Sequence, residues 1–239
     1  MRYVRYFAVV VALVAVGLLL ASGPFTRGGL WGWQTGLRVF AWAAYAGLAA
    51  AGLGLVLVVL LAVPRWRHRP WIPVAVVCAG LAAAAPPIIL LGQANSVPAI
   101  HDITTDPFDP PTFVALMPMR MTAPNGAAYG GMKVAEQQQK GYPDIKSLVM
   151  KAPPAEAVQR AIDAARDCGW EIIASDAATG RIEATDTTRW FGLKDDIIVR
   201  VRPEPSGGSR VDVRSVSRVG GSDVGANARR VREFLSRLA

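Results

Sequence analysis

The stretch Asp196-Ile197-Ile198-Val199-Arg200-Val201-Arg202 decides how the second half of this chain is read. Ile197, Val199 and Val201 alternate with Arg200 and Arg202, the period-two pattern of a strand with one buried and one wet face. Outward from it, strand-like runs occupy 170–174, 181–188 and 210–219, and Gly180 and Gly207-Gly208 supply hairpin turns. A further short strand fits 147–151. Pro153-Pro154 then opens a helix with Val158, Ile162 and Ala165 at helical spacing, and Gly169 stops it. The chain closes with a helix from about Asp223, capped by Ser222, whose apolar stripe is Val224, Ala228, Val231, Leu235 and Leu238. The order β-α-β-β-β-β-α with short hairpin links predicts an α+β domain over 144–239, an antiparallel sheet with two helices packed on one face.

Upstream, residues 97–143 are rich in proline and turn formers: Val97-Pro98, Asp106-Pro107, Asp109-Pro110-Pro111, Met117-Pro118 and Ala123-Pro124-Asn125-Gly126. Proline pushes the preceding residue out of helix, so this segment reads as an extended strap, with a short helical piece over 131–139. A strap of this length is not idle inside a compact domain; it wraps the core or forms a site.

Residues 1–96 are different in kind. They carry seven basic residues, Arg2, Arg5, Arg27, Arg38, Arg65, Arg67 and Arg69, and all eighteen carboxylates of the chain lie downstream, from Asp102 to Glu233. The remainder has nineteen basic against eighteen acidic residues, so all but one unit of the net charge of +8 belongs to the first part. That distribution points to membrane topology and away from nucleic acid. Three apolar stretches, about 6–21, 39–63 and 71–91, are expected as transmembrane helices, since a ~30 Å hydrocarbon core needs ~20 helical residues. Arg2 and Arg5, and Arg65, Arg67 and Arg69 in the second loop, place the N-terminus and that loop in the cytoplasm by the positive-inside bias. Three spans then deliver the domain to the periplasmic side of a bacterial inner membrane. Trp31, Trp33, Trp66 and Trp71 fall where interfacial aromatic belts occur. The first stretch also has the charged start and the small residues Ala21-Ser22-Gly23 of a cleavable signal peptide. Pro86-Pro87 would kink the third span, either tolerated near its exit or opening a notch for a ligand.

Cys78 sits in a span and Cys168 in the domain, so an intrachain disulfide is not expected. His68 and His101 lie on opposite sides of the membrane and no paired-cysteine spacing occurs, which argues against zinc; no metal site or other cofactor is expected.

Three polar groups are candidate ligand or partner sites. His101, Asp102, Asp106 and Asp109 form the densest polar cluster; they offer hard oxygen ligands and acid–base chemistry, or they cap turns imposed by the prolines. Met117, Met119 and Met121, with Met132 nearby, suggest a thioether metal site or a contact surface. Arg214, Arg218, Ser222, Asp223, Asn227 and Arg230 surround the last strand-to-helix junction, where arginines beside a helix N-terminus hold an anion, or Asp223 pairs with Arg218 and fixes the loop; Asp186, in the stretch 185–196 that links two strands, is a further candidate. Trp190-Phe191 reads as an exposed aromatic tip or as packing under a long hairpin.

Several separate motifs resemble the bacterial "domain of unknown function 1499" family. They are His101-Asp102-Ile103-Thr104-Thr105-Asp106-Pro107, Tyr142-Pro143-Asp144-Ile145, residues 180–188, Phe191-Gly192-Leu193-Lys194-Asp195-Asp196, residues 212–220 and residues 222–232. The similarity spans about 97–237, and residues 1–96 resemble the anchor of longer members. The resemblance implies no reaction, cofactor or catalytic residue. Met119 and Met121 fall outside its motifs.

No serine has an evident general base and His101 is the single histidine of the exported part. The expected function is therefore non-enzymatic, a periplasmic domain that binds an envelope protein or component. The alternatives are a small-ligand-binding protein or hydrolase built on His101, Asp102 and Asp106 with an arginine anion pocket, and metal handling by the methionines.

Overall fold

The computed structural model describes residues 2–63 and 69–238. Arg65, Trp66, Arg67 and His68 of the basic loop lie outside the described residues. Two compact units divide the chain, Met1–Gly92 with Arg189–Gly192, and Gln93–Thr188 with Leu193–Ala239.

In the first unit three helices are long and apolar enough to cross a membrane: α1 (Arg2–Arg27), α2 (Trp33–Leu60) and α3 (Trp71–Ser96). Each overlaps its expected stretch. α1 extends beyond it at both ends, α2 begins six residues earlier than Val39, and α3 runs on to Ser96 without interruption at Pro86 and Pro87. Their mutual contact is made by small residues, as expected where lipid removes the hydrophobic drive and close approach supplies dispersion instead. Ala8 and Ala12 of α1 pack with Ala50 and Leu57 of α2 and Val76 of α3. A Cβ at Gly47 would come within 2.5 Å of the Gly80 carbonyl, so α2 and α3 touch backbone to backbone there.

The second unit is an α+β domain with an antiparallel six-stranded sheet: β1 (Asp102–Thr104), β2 (Leu148–Met150), β3 (Glu171–Asp176), β4 (Arg181–Thr187), β5 (Lys194–Pro203) and β6 (Ser209–Ser217). The order is β1-β6-β5-β4-β3, and β2 also pairs with β6, so β1 and β2 share one long neighbour. Gly180 turns β3 into β4 with φ +66, where a Cβ would strike the Val201 carbonyl. Helices α6 (Pro154–Asp167) and α7 (Ala226–Leu238) cover one face. Ile182, Ala184, Ile197, Val199, Val201, Val211 and Val213 point to it and meet Val158, Ala161 and Ala165 of α6 and Val231 and Phe234 of α7. Trp170 stacks on Phe234 with ring centroids 4.9 Å apart.

The opposite face departs from the sequence reading of a wet surface. The strap supplies β1 to the sheet, lays α4 (Met117–Thr122) and the residues just before it on this face, and packs α5 (Gly131–Gly141) through Val134 with the cluster on the helix side. Phe113 and Leu116 of the strap pack on Ile198 and Val216, and Ile198 is 1% exposed. Both sheet faces are therefore occupied.

The start of the last helix is also corrected. α7 begins at Ala226, and Asp223 supplies the cap: its carboxylate accepts from the backbone N–H groups of Gly225 and Asn227, while Ser222 Oγ accepts only from Val224 N.

Candidate functional site

Period two sends alternate residues of β4, β5 and β6 toward the strap, and most of them are polar. Glu183, Asp196, Arg200, Arg202, Asp212, Arg214 and Arg218 carry the contacts. Burying such groups demands partners, and the strap provides them in three clusters.

The first cluster centres on Arg214 and Asp102. The guanidinium donates through Nε at 3.0 Å and Nη2 at 2.8 Å to the two carboxylate oxygens, a fork-to-fork pair at 1% and 4% side-chain exposure. Its remaining donors reach the carbonyls of Pro111 and Ala127, and its face lies over the rings of Phe113 and Tyr129. Burial, and then the charge of Asp102, push the Tyr129 hydroxyl up to about 12. The second cluster is Asp196, which takes Arg218 through Nε and Nη2 (2.7 Å at the shortest), Arg120 at 3.4 Å and the Thr185 hydroxyl at 2.8 Å. Arg120 also donates to the carbonyls of Val216 and Gly126. Nearby, Glu183 is fully buried and accepts three successive strap N–H groups, those of Val114, Ala115 and Leu116, at 2.9, 3.0 and 2.8 Å.

The third cluster sets Arg200, Arg202 and Arg210 against Asp106, Asp109 and Asp212. The Arg202 hydrogen bond, with Arg200 beside it, holds the Asp109 carboxyl below its ordinary range. Burial alone would raise Asp212, but the Ser147 hydroxyl and the Arg200 and Arg202 guanidiniums outweigh it and lower its pKa. Among the described residues, no group of three or more His, Cys, Asp or Glu side chains is placed to hold a metal ion.

On the helix face a fourth network joins Arg230 of α7 to Asp186 and Asp195, at 2.7 Å each, and to Ser215 and Asn227. Asn227 in turn donates to the His101 carbonyl and the Ser217 hydroxyl. Burial pushes the Asp223 carboxyl above its ordinary value, against the two N–H groups it caps.

These contacts sort the sequence candidates. Asp102, Asp106, Asp109, Asp186, Arg214, Arg218, Asp223, Asn227 and Arg230 are all engaged within the domain. Arg218 pairs with Asp196, not with Asp223, because β5 and β6 place Asp196 and Arg218 on one face while Asp223 turns to cap α7. Asp102 pairs with Arg214 while Asp106 and Asp109 pair with Arg200 and Arg202, and the three do not form a common ligand shell. The imidazole of His101 is half-buried, and its Nδ1 has no hydrogen-bond partner among the described residues. Met117, Met119 and Met121 alternate around α4; Met117 packs inward while Met119 and Met121 are exposed. Two-residue spacing turns Met119 away from both others, and Met121, one turn beyond Met117, is exposed while Met117 packs with Phe113 and Leu116. Trp190 and Phe191 belong to the segment grouped with the first unit and take no part in the domain's core.

Sequence reasoning missed Glu183, Asp195, Asp196 and Asp212 as partners, although the β4 alternation Ile182-Glu183-Ala184-Thr185 carried the signal for Glu183. It also missed a groove. A cavity of about 510 Å³ opens between the strap at 105–108, α5 and the loop leading into β2. Phe108 (85% exposed), Met132 and Val149 (both 58%) line it, and Ser147 and Arg210 supply polar groups at its β2 side. Gln138 forms part of the wall, where its side-chain amide exchanges two hydrogen bonds with the backbone of Thr104, at 2.9 and 2.6 Å, and so completes the outer edge of β1.

Comparison with curated proteins finds no match. The pattern of the family described as "Protein of unknown function (DUF1499)" matches residues 102–238, from the first strand of the sheet through α7. With more than half of its length matched, the chain belongs to the DUF1499 family.

Proposed function

We propose that this chain is a non-enzymatic protein of a Gram-negative inner membrane, with its N-terminus in the cytoplasm, whose periplasmic α+β domain binds a protein or envelope component in the groove beside β2. The orientation is supported by Arg2 and Arg5 before the first helix and Arg65, Arg67 and Arg69 in the second loop, against Arg27 and Arg38 in and beside the first loop. The observation that carries the binding reading is the groove itself. Three large apolar side chains stand exposed around a concave surface of the size that ligand sites favour.

The hydrolase alternative loses its anion pocket. Arg214, Arg218 and Arg230 give their donors to carboxylates, carbonyls and hydroxyls of the chain itself. Methionine-based metal handling has no converging thioethers to support it.

The test is site-specific photocrosslinking of the full-length chain in cells. A crosslinker at Phe108 or Val149 is expected to give one dominant adduct, absent when it is placed at exposed Arg160 or Asp163 on α6. Adducts of equal yield at all four positions, or none at Phe108 and Val149, would reject the groove as the binding surface. Labelling of a cysteine introduced at Phe108 by a membrane-impermeant maleimide, in intact spheroplasts of a Cys78→Ser, Cys168→Ser background, is expected to succeed. Labelling only after lysis would reverse the proposed orientation.

A further inference from the structure

An edge strand presents backbone donors and acceptors that another extended chain answers best. Three strands of the domain's sheet have an outer edge. On β1 the side-chain amide of Gln138 already meets the N–H and C=O of Thr104. On β3 the ladder is interrupted by a register shift between Ile172 and Ala174, an irregularity that keeps other strands off. Among the described residues, β2 pairs with β6 alone.

The register shows which groups β2 leaves open. On β6 the backbones of Val213 and Ser217 face this edge, since Thr105 N–H donates to the Val213 carbonyl and Ser217 N–H to the His101 carbonyl, at 2.9 Å each. Alternation turns Val211 and Ser209 the same way, onto Leu148 and Met150. Val149, between those two, therefore directs its N–H and C=O away from β6. Its side chain lies opposite Arg210 and opens into the groove. A residue paired with Val149 on an added strand stands beside it on the same face, so its side chain enters the groove.

Charge selects the strand. Lys146 and Lys151 are exposed at the two ends of β2 and make no ion pair among the described residues. Asp106 and Arg210 are engaged in the third cluster, and Glu136 belongs to the α5 wall. Two copies joined antiparallel through β2 would gather four lysines on one short ladder, where like charges repel. A strand with carboxylates at its ends meets both lysines instead.

We propose that the free edge of β2 takes up an extended, acidic-ended peptide segment of a partner protein as an added strand, with the side chain opposite Val149 seated in the groove. This deepens the groove reading above and rests on it.

The experiment uses the full-length chain in mild non-ionic detergent and a fluorescein-labelled peptide of alternating valine and threonine with aspartates at both ends. Fluorescence anisotropy is expected to show saturable binding. Replacing the aspartates by lysines, or substituting Lys146→Glu with Lys151→Glu, should weaken it roughly tenfold, as like-charge contacts do; Arg160→Glu on α6 should leave it unchanged. Methylating one peptide nitrogen at a time reads the backbone. Alternate positions should lose affinity, because every second N–H of an added strand points at its neighbour. Val149→Pro should abolish binding at a near-wild-type melting temperature, since an edge strand tolerates proline where the N–H faces outward. No saturable binding, indifference to peptide charge, or a uniform response to methylation would overturn strand addition. The Phe108 photocrosslink in cells separates this inference from the groove reading. An adduct kept in the Val149→Pro chain rejects strand addition and leaves the groove as the binding surface; an adduct absent from the unsubstituted chain rejects both. Should Val149→Pro fail to fold, the methylated peptides decide.

Discussion

On one side of β5, Ile197, Val199 and Val201 meet the apolar stripes of α6 and α7; on the other, Asp196, Arg200 and Arg202 meet the charged groups of the strap and of β6. A single strand thus serves two layers built on different physics. Apolar burial is non-directional and scales with area, so the helix face tolerates volume-conserving exchange. The strap face is held by paired charges and by Glu183 clamping three backbone N–H groups. Such contacts add little over an apolar filling when complete and cost much when one partner is removed. They also admit one seating of the strap, and that seating sets the shape of the groove beside β2.

The largest expected effect tests the ionic face. Asp196→Ala leaves Arg120, whose side chain is fully buried, and most of Arg218 without their shared carboxylate. We expect a loss of about 5 kcal/mol, the upper end for breaking a buried pair, because two guanidiniums are stranded. Denaturant unfolding of the full-length chain measures it; a loss below about 1 kcal/mol would mean that water already shares these charges. On the apolar face, Phe234→Ala removes a fully buried ring stacked on Trp170. The expected cost is about 4 kcal/mol from lost transfer energy and the cavity left behind. The comparison is sharpened by salt: 1 M NaCl should narrow the gap between wild type and Asp196→Ala slightly and leave the Phe234→Ala gap unchanged, since screening acts on charge alone.

Acid separates the faces further. Asp212 titrates below its ordinary value in the fold, through the hydroxyl of Ser147 and the guanidiniums of Arg200 and Arg202 acting against burial. A depressed folded pKa contributes stability that is complete above the unfolded value near ~3.9 and is lost as pH falls through the folded value. Asp212→Asn should therefore cost about 1 kcal/mol at pH 7, modest because its arginine partners are partly exposed. The difference from wild type should shrink as pH drops below about 4. A difference that grows in acid would show that the arginines do not stabilise the ionised carboxylate.

Much of the helix face was legible before any coordinates. The alternation over 196–202, Gly180 at a hairpin, Pro153-Pro154 at a helix start and the stripe through Val231 are all local signals, and each leads to the observed element. The strap face was not, for a physical reason. Period two says that Arg200 and Arg202 point away from the helices, but nothing local says whether water or carboxylates receive them. Their partners come from far along the chain: Asp102 and Arg214 are 112 residues apart, and Glu183 binds Leu116 across 67. β1 has three residues and α4 six, too few for periodicity to register. The polar candidates include residues of the ionic clusters, and local sequence leaves open whether they face a ligand or organise the chain; in the fold most of them face each other. The groove lay outside those candidates, apart from Asp106, because its apolar rim is made of residues that no motif marks.

That rim supplies the smallest expected change in stability and the most direct break between the two roles of the strap. Phe108 and Val149 are exposed and outside the apolar clusters of the domain. Phe108→Ser and Val149→Lys should each leave stability within about 0.5 kcal/mol of wild type, as surface substitutions away from buried features do. The same changes should abolish the dominant photocrosslink from a probe at the other rim position. Destabilisation above 1 kcal/mol would place these side chains in the core of the strap, and the groove would then be a consequence of strap packing. Unchanged stability with a lost adduct would separate the two: ionic pairs seat the strap, and the apolar rim they position recognises the partner.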